Sequence, residues 1–211
     1  MAEIETQLKE SLEELRKNSK ERKFNQTVDL VVNLQKYDIK KNPLNLFIRV
    51  PHKTKEKKVA GFLEVNSKFI DTILEQDFVK YKDKNKLRSL VKTYDFFIAQ
   101  AKLMPKVATA FGRALGPSGK MPSPQLGILL NADEKSIAEL KEKINTSVRI
   151  RLKEPSIKVP IGKQNMTDED LIENAMAIIN ELLKNLPREK ENIHNIEIKF
   201  TMTKPIKIRI R

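Results

Sequence analysis

Neither end of this chain can close a hydrophobic core alone, and that requirement narrows the folds open to it more than any other feature. Near the N-terminus Ile4, Leu8, Leu12 and Leu15 recur at helical spacing, which predicts an amphipathic helix with its glutamates in water. Val28, Leu30, Val32 and Leu34 then alternate with polar or smaller residues, the pattern of a strand with one buried face. A second strand is expected over 46–50, ended by Pro51. Toward the C-terminus a strand is expected over 156–161, with Gly162-Lys163 turning the chain. Thr167-Asp-Glu-Asp170 reads as a capping box, the threonine hydroxyl taking an amide proton of the first turn and Asp170 reaching back. The helix it opens carries Leu171, Ile172, Ala175, Met176, Ile179, Leu182, Leu183 and Leu186 as a wide apolar stripe, closed by Pro187, so Met176 reads as core. Strands over 193–201 and 206–210 follow. Each half-sheet would leave an apolar face bare; joined, the two ends close one α+β layer pair.

The expected architecture is therefore an α+β outer domain built from both chain ends, residues 1–57 and 154–211, with residues 58–153 inserted between two chain crossings. The first crossing, Pro51-His-Lys-Thr-Lys-Glu-Lys-Lys58, is charged and has no apolar period, and Pro155 marks the second. Pro51, His52 and Pro155 are the expected hinge positions. Within the insert, strands are expected over 59–65, at Phe78-Val79, and over 95–99, 127–130 and 147–152. Helices are expected over 67–74, capped by Ser67, over 84–92, over 102–115, and after Asp133 with Ile137, Leu140 and Ile144 on one side. Strands alternating with helices predict a parallel sheet covered on both faces, a three-layer, Rossmann-like α/β domain.

Gly112 to Pro124, GRALGPSGKMPSP, stands apart from this regularity. Its glycines and prolines predict a loop that no helix or strand crosses. It is not a phosphate-cradling loop, since neither the GxxxxGK[ST] run nor the GxGxxG spacing is present.

Lys and Arg number 41 against 28 Asp and Glu, a net charge of +13, which points to a polyanionic partner and to nucleic acid before membrane. Residues 58–153 hold 18 cationic and 10 acidic side chains, +8, and the remainder 23 and 18, +5. In the outer domain the acids crowd onto the first helix and the capping turn. Lys199, Lys204, Lys207, Arg209 and Arg211 close the chain with no acid after Glu197. One rim of that domain is thus expected to be positive. Zero cysteines remove disulfides and thiolate metal sites, and two histidines are too few for a metal cluster. No apolar run approaches the length of about 18 residues that spans a bilayer, and the acidic N-terminal helix is no signal peptide, so the cytoplasm is expected. Arg22-Lys23-Phe24 is open to two readings, Phe24 stapled under the helix end or a phosphate clamp with an apolar anchor.

GRALGPSGKMPSP, preceded by Asp95-Phe-Phe-Ile-Ala-Gln and Lys102-Leu-Met-Pro105, resembles the central-domain signature of the large-ribosomal-subunit protein one family, in its archaeal form. The pattern can be followed over nearly the whole chain. The resemblance implies an rRNA-binding outer domain at the mobile side stalk of the large subunit, beside the tRNA exit site. It implies further that the same surface can bind a mimic in the protein's own mRNA, that the central domain contacts exit-site tRNA, and that the free protein is a monomer without a cofactor. The family's basic-Phe step matches Arg22, Lys23 and Phe24, with Thr27 and Asp29 following. Its Pro-Val-Gly-Lys turn matches Pro160, Ile161, Gly162 and Lys163, with Lys158 just before. Its Thr-Met-Gly turn matches Thr201, Met202 and Thr203, followed by Lys204; Thr203 stands where the family has glycine, offering a hydroxyl to phosphate or ribose in place of bare backbone. Arg113 and Lys120 are the candidates for tRNA or stalk contact.

Two other classes compete. A nucleotide-dependent enzyme could be built on the central domain, but no glycine fingerprint opens its first helix and no nucleophile–base pair stands in a recognisable frame. A protein-interaction scaffold would leave the basic rim incidental.

Overall fold

The computed structural model of the protein describes residues 2–20, 22–39, 41–130, 133–152 and 154–208. In chain order the first elements are α1 (Ala2–Asn18), β1 (Thr27–Leu34), β2 (Asn45–Arg49), β3 (Val59–Phe62), β4 (Asp71–Ile73), α2 (Lys84–Thr93) and β5 (Phe96–Gln100). There follow α3 (Met104–Ser118), β6 (Ile128–Leu129), α4 (Glu134–Asn145), β7 (Ser147–Arg151), β8 (Ser156–Lys163), α5 (Asp168–Asn185), β9 (Ile193–Phe200) and β10 (Ile206–Ile208). The chain forms two compact units, residues 1–55 with 146–211 and residues 56–145.

The discontinuous unit holds an antiparallel sheet in the order β10-β9-β1-β8 and a two-stranded antiparallel ladder of β2 with β7. Leu8, Leu12 and Leu15 of α1 are buried, as are Leu171, Ala175, Ile179 and Leu182 of α5. They share one core with Val28, Leu30 and Val32 of β1 and Ile196 and Ile198 of β9. Each of the valine, leucine and isoleucine side chains contributes about 1.5–3 kcal/mol on burial. Thr167 caps α5 with its Oγ1, which accepts from the Asp170 amide at 3.3 Å, whereas the Asp170 carboxylate lies 3.5 Å from the His52 ring instead of reaching back as a capping box would have it.

The boundary differs from the expected 153–154. Ser147–Arg151 pairs with β2, Val148 opposite Ile48 and Ile150 opposite Leu46, so the strand expected in the insert belongs to the discontinuous unit. Val148, Ile150 and Leu152 enter that unit's core. The charge moves with it: residues 56–145 hold 16 cationic and 11 acidic side chains, +5, and the discontinuous unit 25 and 17, +8.

Residues 56–145 form a parallel sheet in the order β4-β3-β5-β6. Alternate strand residues feed two cores. Ala60, Phe62, Phe97 and Ala99 pack with Val107, Phe111 and Leu115 of α3, whereas Val59, Leu63 and Ile98 pack with Ile137 and Ile144 of α4. Three local expectations fail here. Residues 71–73 form a strand rather than the end of a helix, because Asp71, Thr72 and Ile73 pair with Ala60, Gly61 and Phe62. Ser67 Oγ accepts from the Phe69 amide at 3.3 Å and so closes a turn instead of capping a helix. Phe78 and Val79 lie on a 3-10 helix, Glu75–Lys82, which sets the Phe78 ring edge-on to Phe62 and Phe111, with centroids 5.8 and 5.0 Å away.

GRALGPSGKMPSP departs as well: α3, expected to end at Leu115, runs on to Ser118. Pro117 sits in the last turn, and Ser118 Oγ donates to the carbonyls of Ala114 and Leu115 at 3.0 and 2.9 Å. Gly119 then takes φ 71°, and the Lys120 amide donates back to the Leu115 carbonyl at 3.0 Å, a left-handed helix end that favours glycine. Ile210, Arg209 and Arg211 lie outside the described residues.

Candidate RNA-binding surface

Three turns meet at one end of the four-stranded sheet: the approach to β1, the exit of β8 and the exit of β9. Pairing brings them there, with Thr27 opposite Lys163 and Val28 opposite both Gly162 and Phe200. Gln26, 1% exposed, fastens them to one another. Its carbonyl accepts from the Gln164 amide at 2.9 Å and its Oε1 accepts from the Met202 amide at 3.2 Å. Thr201 closes the other seam. Its amide donates to the Thr27 carbonyl at 3.0 Å, and its Oγ1 accepts from the Thr27 amide at 3.1 Å. Asn25 Nδ2 donates to Asn165 Oδ1 at 2.8 Å.

A bulge aims the lysine of the second turn. Val28 pairs with Gly162 but Asp29 with Pro160, so Ile161 is the extra residue. Ile161 and Gly162 are both buried, and the inside–outside alternation shifts by one, which puts Lys163 on the same outer face as Lys158. Asn174, fully buried on α5, holds the bulge by donating to the Ile161 carbonyl at 2.8 Å. A Cβ on Gly162 would stand 2.5 Å from Leu171 Cδ2 and 2.6 Å from Met166 Sδ. The glycine is therefore required by the close turn above it and presents no surface of its own.

Arg16, at the end of α1, locks that turn from the side. Its Nε donates to Asp168 Oδ1 at 2.8 Å and its two terminal nitrogens to the carbonyls of Gln164 and Met166, each at 2.9 Å. The ion pair neutralises Asp168. Lys163 Nζ donates to Thr27 Oγ1 at 2.9 Å and remains half-exposed. Behind it Asp29 faces Lys163 and Lys199. Burial pushes its carboxyl above the usual value, and the two lysines only partly offset this.

Basic and apolar side chains face water here, with Asn25, Asn165 and Thr201 among them. Arg22, Lys23, Lys158 and Lys204 are exposed, Phe24 is 51% exposed and Met202 59%. The Phe24 ring stands about half in solvent, open as an apolar anchor. Arg22, Met202, Thr203 and Lys204 line one cavity of about 540 Å³ beside α1, with Lys20 and Glu14. Cationic ends around apolar contacts over a rigid backbone frame suit a phosphate backbone with ribose or base faces.

The expected site residues thus fall into two groups. Arg22, Lys23, Phe24, Met202 and Lys204 present surface. Thr27, Gly162 and Thr203 build the frame beneath it, and Thr201 joins that frame while staying exposed. Thr203 Oγ1 accepts from the Phe200 amide at 2.9 Å, so the hydroxyl expected to meet RNA closes its own turn. Its φ is negative, and the position makes no conformational demand for the family glycine. Lys120, half-buried, is also tied to backbone: its Nζ donates to the carbonyls of Val91 and Tyr94, both at 2.7 Å, and so caps the end of α2. Arg113 is exposed on α3. The hinge positions lie inside the discontinuous unit. His52 is held by Asn174 through its amide and carbonyl at 2.9 and 3.1 Å, its ring lies 2.7 Å from Glu173, and the Pro155 carbonyl accepts from the Leu34 amide at 2.8 Å. Pro51 is an exposed bend beside them, and the chain changes unit at 55–56 and 145–146. Arg16, Gln26 and Asn174 went unseen in the sequence, where nothing in their spacing separates them from ordinary helix and loop polar residues.

Among the described residues no group of three His, Asp or Glu side chains could hold a metal ion, and no helix is long and apolar enough to cross a membrane. Residues 15–204 match the model of the ribosomal protein L1p/L10e family. Among the relatives is the large ribosomal subunit protein uL1 of Nanoarchaeum equitans, 35% identical over 91% of this chain and 95% of its own length. The proteins of the same name from Thermococcus kodakarensis and Thermofilum pendens are 36% and 38% identical, each over 95% of this chain and over 96% and 92% of their own lengths. All are named as ribosomal proteins, and the nucleotide-dependent enzyme falls away. The span of the family match, and relatives this similar over nearly their full length, show that the chain belongs to the ribosomal protein L1p/L10e family.

Proposed function

We propose that this chain is a structural protein of the large ribosomal subunit that grips large-subunit rRNA at the mobile side stalk through the three-turn surface of its discontinuous unit. The observation that carries the reading is the fastening of three distant segments, around Phe24, Lys163 and Met202, into one solvent-facing edge with Gln26 beneath it. Lys23, Lys158, Lys163 and Lys204 neutralise phosphates, and Phe24 and Met202 pack on ribose or base faces of a stem read by shape. In this reading the discontinuous unit is the split β-α-β rRNA-binding domain and residues 56–145 are its inserted Rossmann-like domain. The same edge takes a mimic of the stem in the protein's own mRNA and represses its translation. The inserted domain contacts exit-site tRNA and assists its release, with Arg113 as the contact residue. The free protein is a cytoplasmic monomer.

The experiment is filter binding of a stalk rRNA stem to the full chain over a range of salt concentrations. Affinity should fall with a log–log slope of roughly −0.7 to −0.9 per neutralised phosphate. Met202→Ala with Lys204→Gln, both on exposed side chains, should weaken binding by about 1–3 kcal/mol without unfolding the chain. A folded double variant with unchanged affinity rejects the assignment.

A further inference from the structure

Residues 56–145 carry an apolar groove of which the RNA reading uses only Arg113, at its rim. It runs between α2 and α3 and measures about 1120 Å³, above the roughly 300–1,000 Å³ typical of small-molecule pockets. Its depth has a local cause. Lys106, Ala110 and Ala114 form one row of α3 at i, i+4 spacing, and Pro105, Thr109 and Arg113 form the next. The central side chains of both rows are small, while the bulky Val107, Phe111 and Leu115 point into the core. On the other side stand Leu87 and Val91 of α2, and Val79, 66% exposed, lies on the 3-10 helix that also borders the groove. Val79 and Ala110 are exposed and Leu87 and Val91 half-buried, so an apolar partner seated here would take this lining out of water.

The rim chooses the partner's charge. Lys84, Arg88, Lys92, Lys106 and Arg113 line the groove, and no acidic residue does. Lys106 is paired with Glu75, but Lys84, Arg88 and Lys92 have no ion pair among the described residues. The floor chooses the partner's class. The two rings at the groove, Phe78 and Tyr81, pack on Phe111 with centroids 5.0 and 5.8 Å away, and the remaining apolar lining is aliphatic. Nucleobases bind by stacking on open aromatic faces. Leucine-like side chains fill aliphatic grooves between helices.

We propose that this groove docks an amphipathic peptide helix whose apolar face carries leucine-type residues and whose flanks are acidic. Its anchors at i, i+3, i+4 and i+7 enter between Val79, Leu87, Val91 and Ala110, and its carboxylates meet Lys84, Arg88 and Lys92.

The test uses the full chain and a synthetic peptide of about 18 residues, roughly five helical turns, with leucine on one face and glutamate elsewhere, beside a scrambled peptide of the same composition. In an NMR titration the patterned peptide should shift the amides of Val79, Val91 and Ala110. By fluorescence anisotropy the scrambled peptide should bind at least about tenfold more weakly, and Val79→Asp and Arg88→Glu should each cost about tenfold. Both substitutions fall on exposed side chains, so an unchanged spectrum elsewhere certifies the fold. The proposal is overturned if the two peptides bind alike, if the shifts fall outside the groove, or if Val79→Asp leaves affinity intact. It is equally overturned if oligouridine, and not the peptide, moves these amides in a Val79-dependent way, which would give the groove to nucleic acid.

Discussion

Replacing Arg16 by alanine should loosen the RNA surface although Arg16 itself need not touch RNA. The guanidinium makes three hydrogen bonds, to the Asp168 carboxylate at 2.8 Å and to the Gln164 and Met166 carbonyls at 2.9 Å each. Bonds to a charged group contribute about 1.5–3 kcal/mol apiece when buried, which would sum to several kcal/mol. Here the arginine and aspartate side chains are 34% and 28% exposed, so water replaces part of what is lost. The discounted expectation is about 2 kcal/mol, local to the turn between β8 and α5. At that size the turn opens about thirtyfold more often, and its amide hydrogens exchange faster by the same factor. Amide exchange by NMR reads this at Gln164, whose amide donates to Gln26, and at Met166, whose amide donates to the Lys163 carbonyl. Arg16→Lys, able to satisfy one acceptor at a time, should fall between. Affinity for the rRNA stem should drop in the same order. If Arg16→Ala leaves exchange at Gln164 and Met166 unchanged, the turn is held by something else and the argument fails.

Gly162→Ala should destabilise the discontinuous unit by about 1–3 kcal/mol, read by urea denaturation, because the added methyl overlaps Leu171 and Met166. Asp29→Asn should raise stability at neutral pH. The folded carboxyl titrates above its unfolded value near 3.8, so its contribution is present below that value and lost as pH rises through the folded one. The substitution should flatten that part of the pH–stability curve and, by freeing Lys163 and Lys199 of a carboxylate, tighten RNA binding. Lys120→Met should cost about 1–3 kcal/mol of stability through the orphaned Val91 and Tyr94 carbonyls while leaving tRNA affinity alone. The reverse pattern would make Lys120 a contact after all.

The sequence carried the elements with strong periodicity. The stripes of α1 and α5 and the alternation in β1 and β9 are where their apolar residues demand, since one-sided burial leaves little choice of period. It failed where tertiary pairing overrode local signals. Residues 71–73 became a strand because β3 offered an unpaired edge, and 147–151 left the insert because β2 needed a partner. Glycine and proline after Leu115 read as a break, yet α3 carries Pro117 in its last turn, giving up one ladder bond there, and ends at Gly119. The motif residues fall together on one edge, but their partners are not legible in the sequence. Thr201, Thr203 and Lys120 look like ligand groups in a string of letters, and only three-dimensional neighbours reveal that each satisfies backbone atoms. Gln26 and Arg16 are invisible for the converse reason, their partners lying about 140–180 positions away in the chain.

The most direct test of the three-turn surface is a hydroxyl-radical or amide-exchange footprint of the full chain on a stalk rRNA stem. The account predicts protection of residues 22–27, 158–167 and 200–205 together, lost as a set when Lys23 and Lys163 are replaced by glutamine. Protection confined to α2 and α3, with those three segments as accessible as in the free protein, would contradict it.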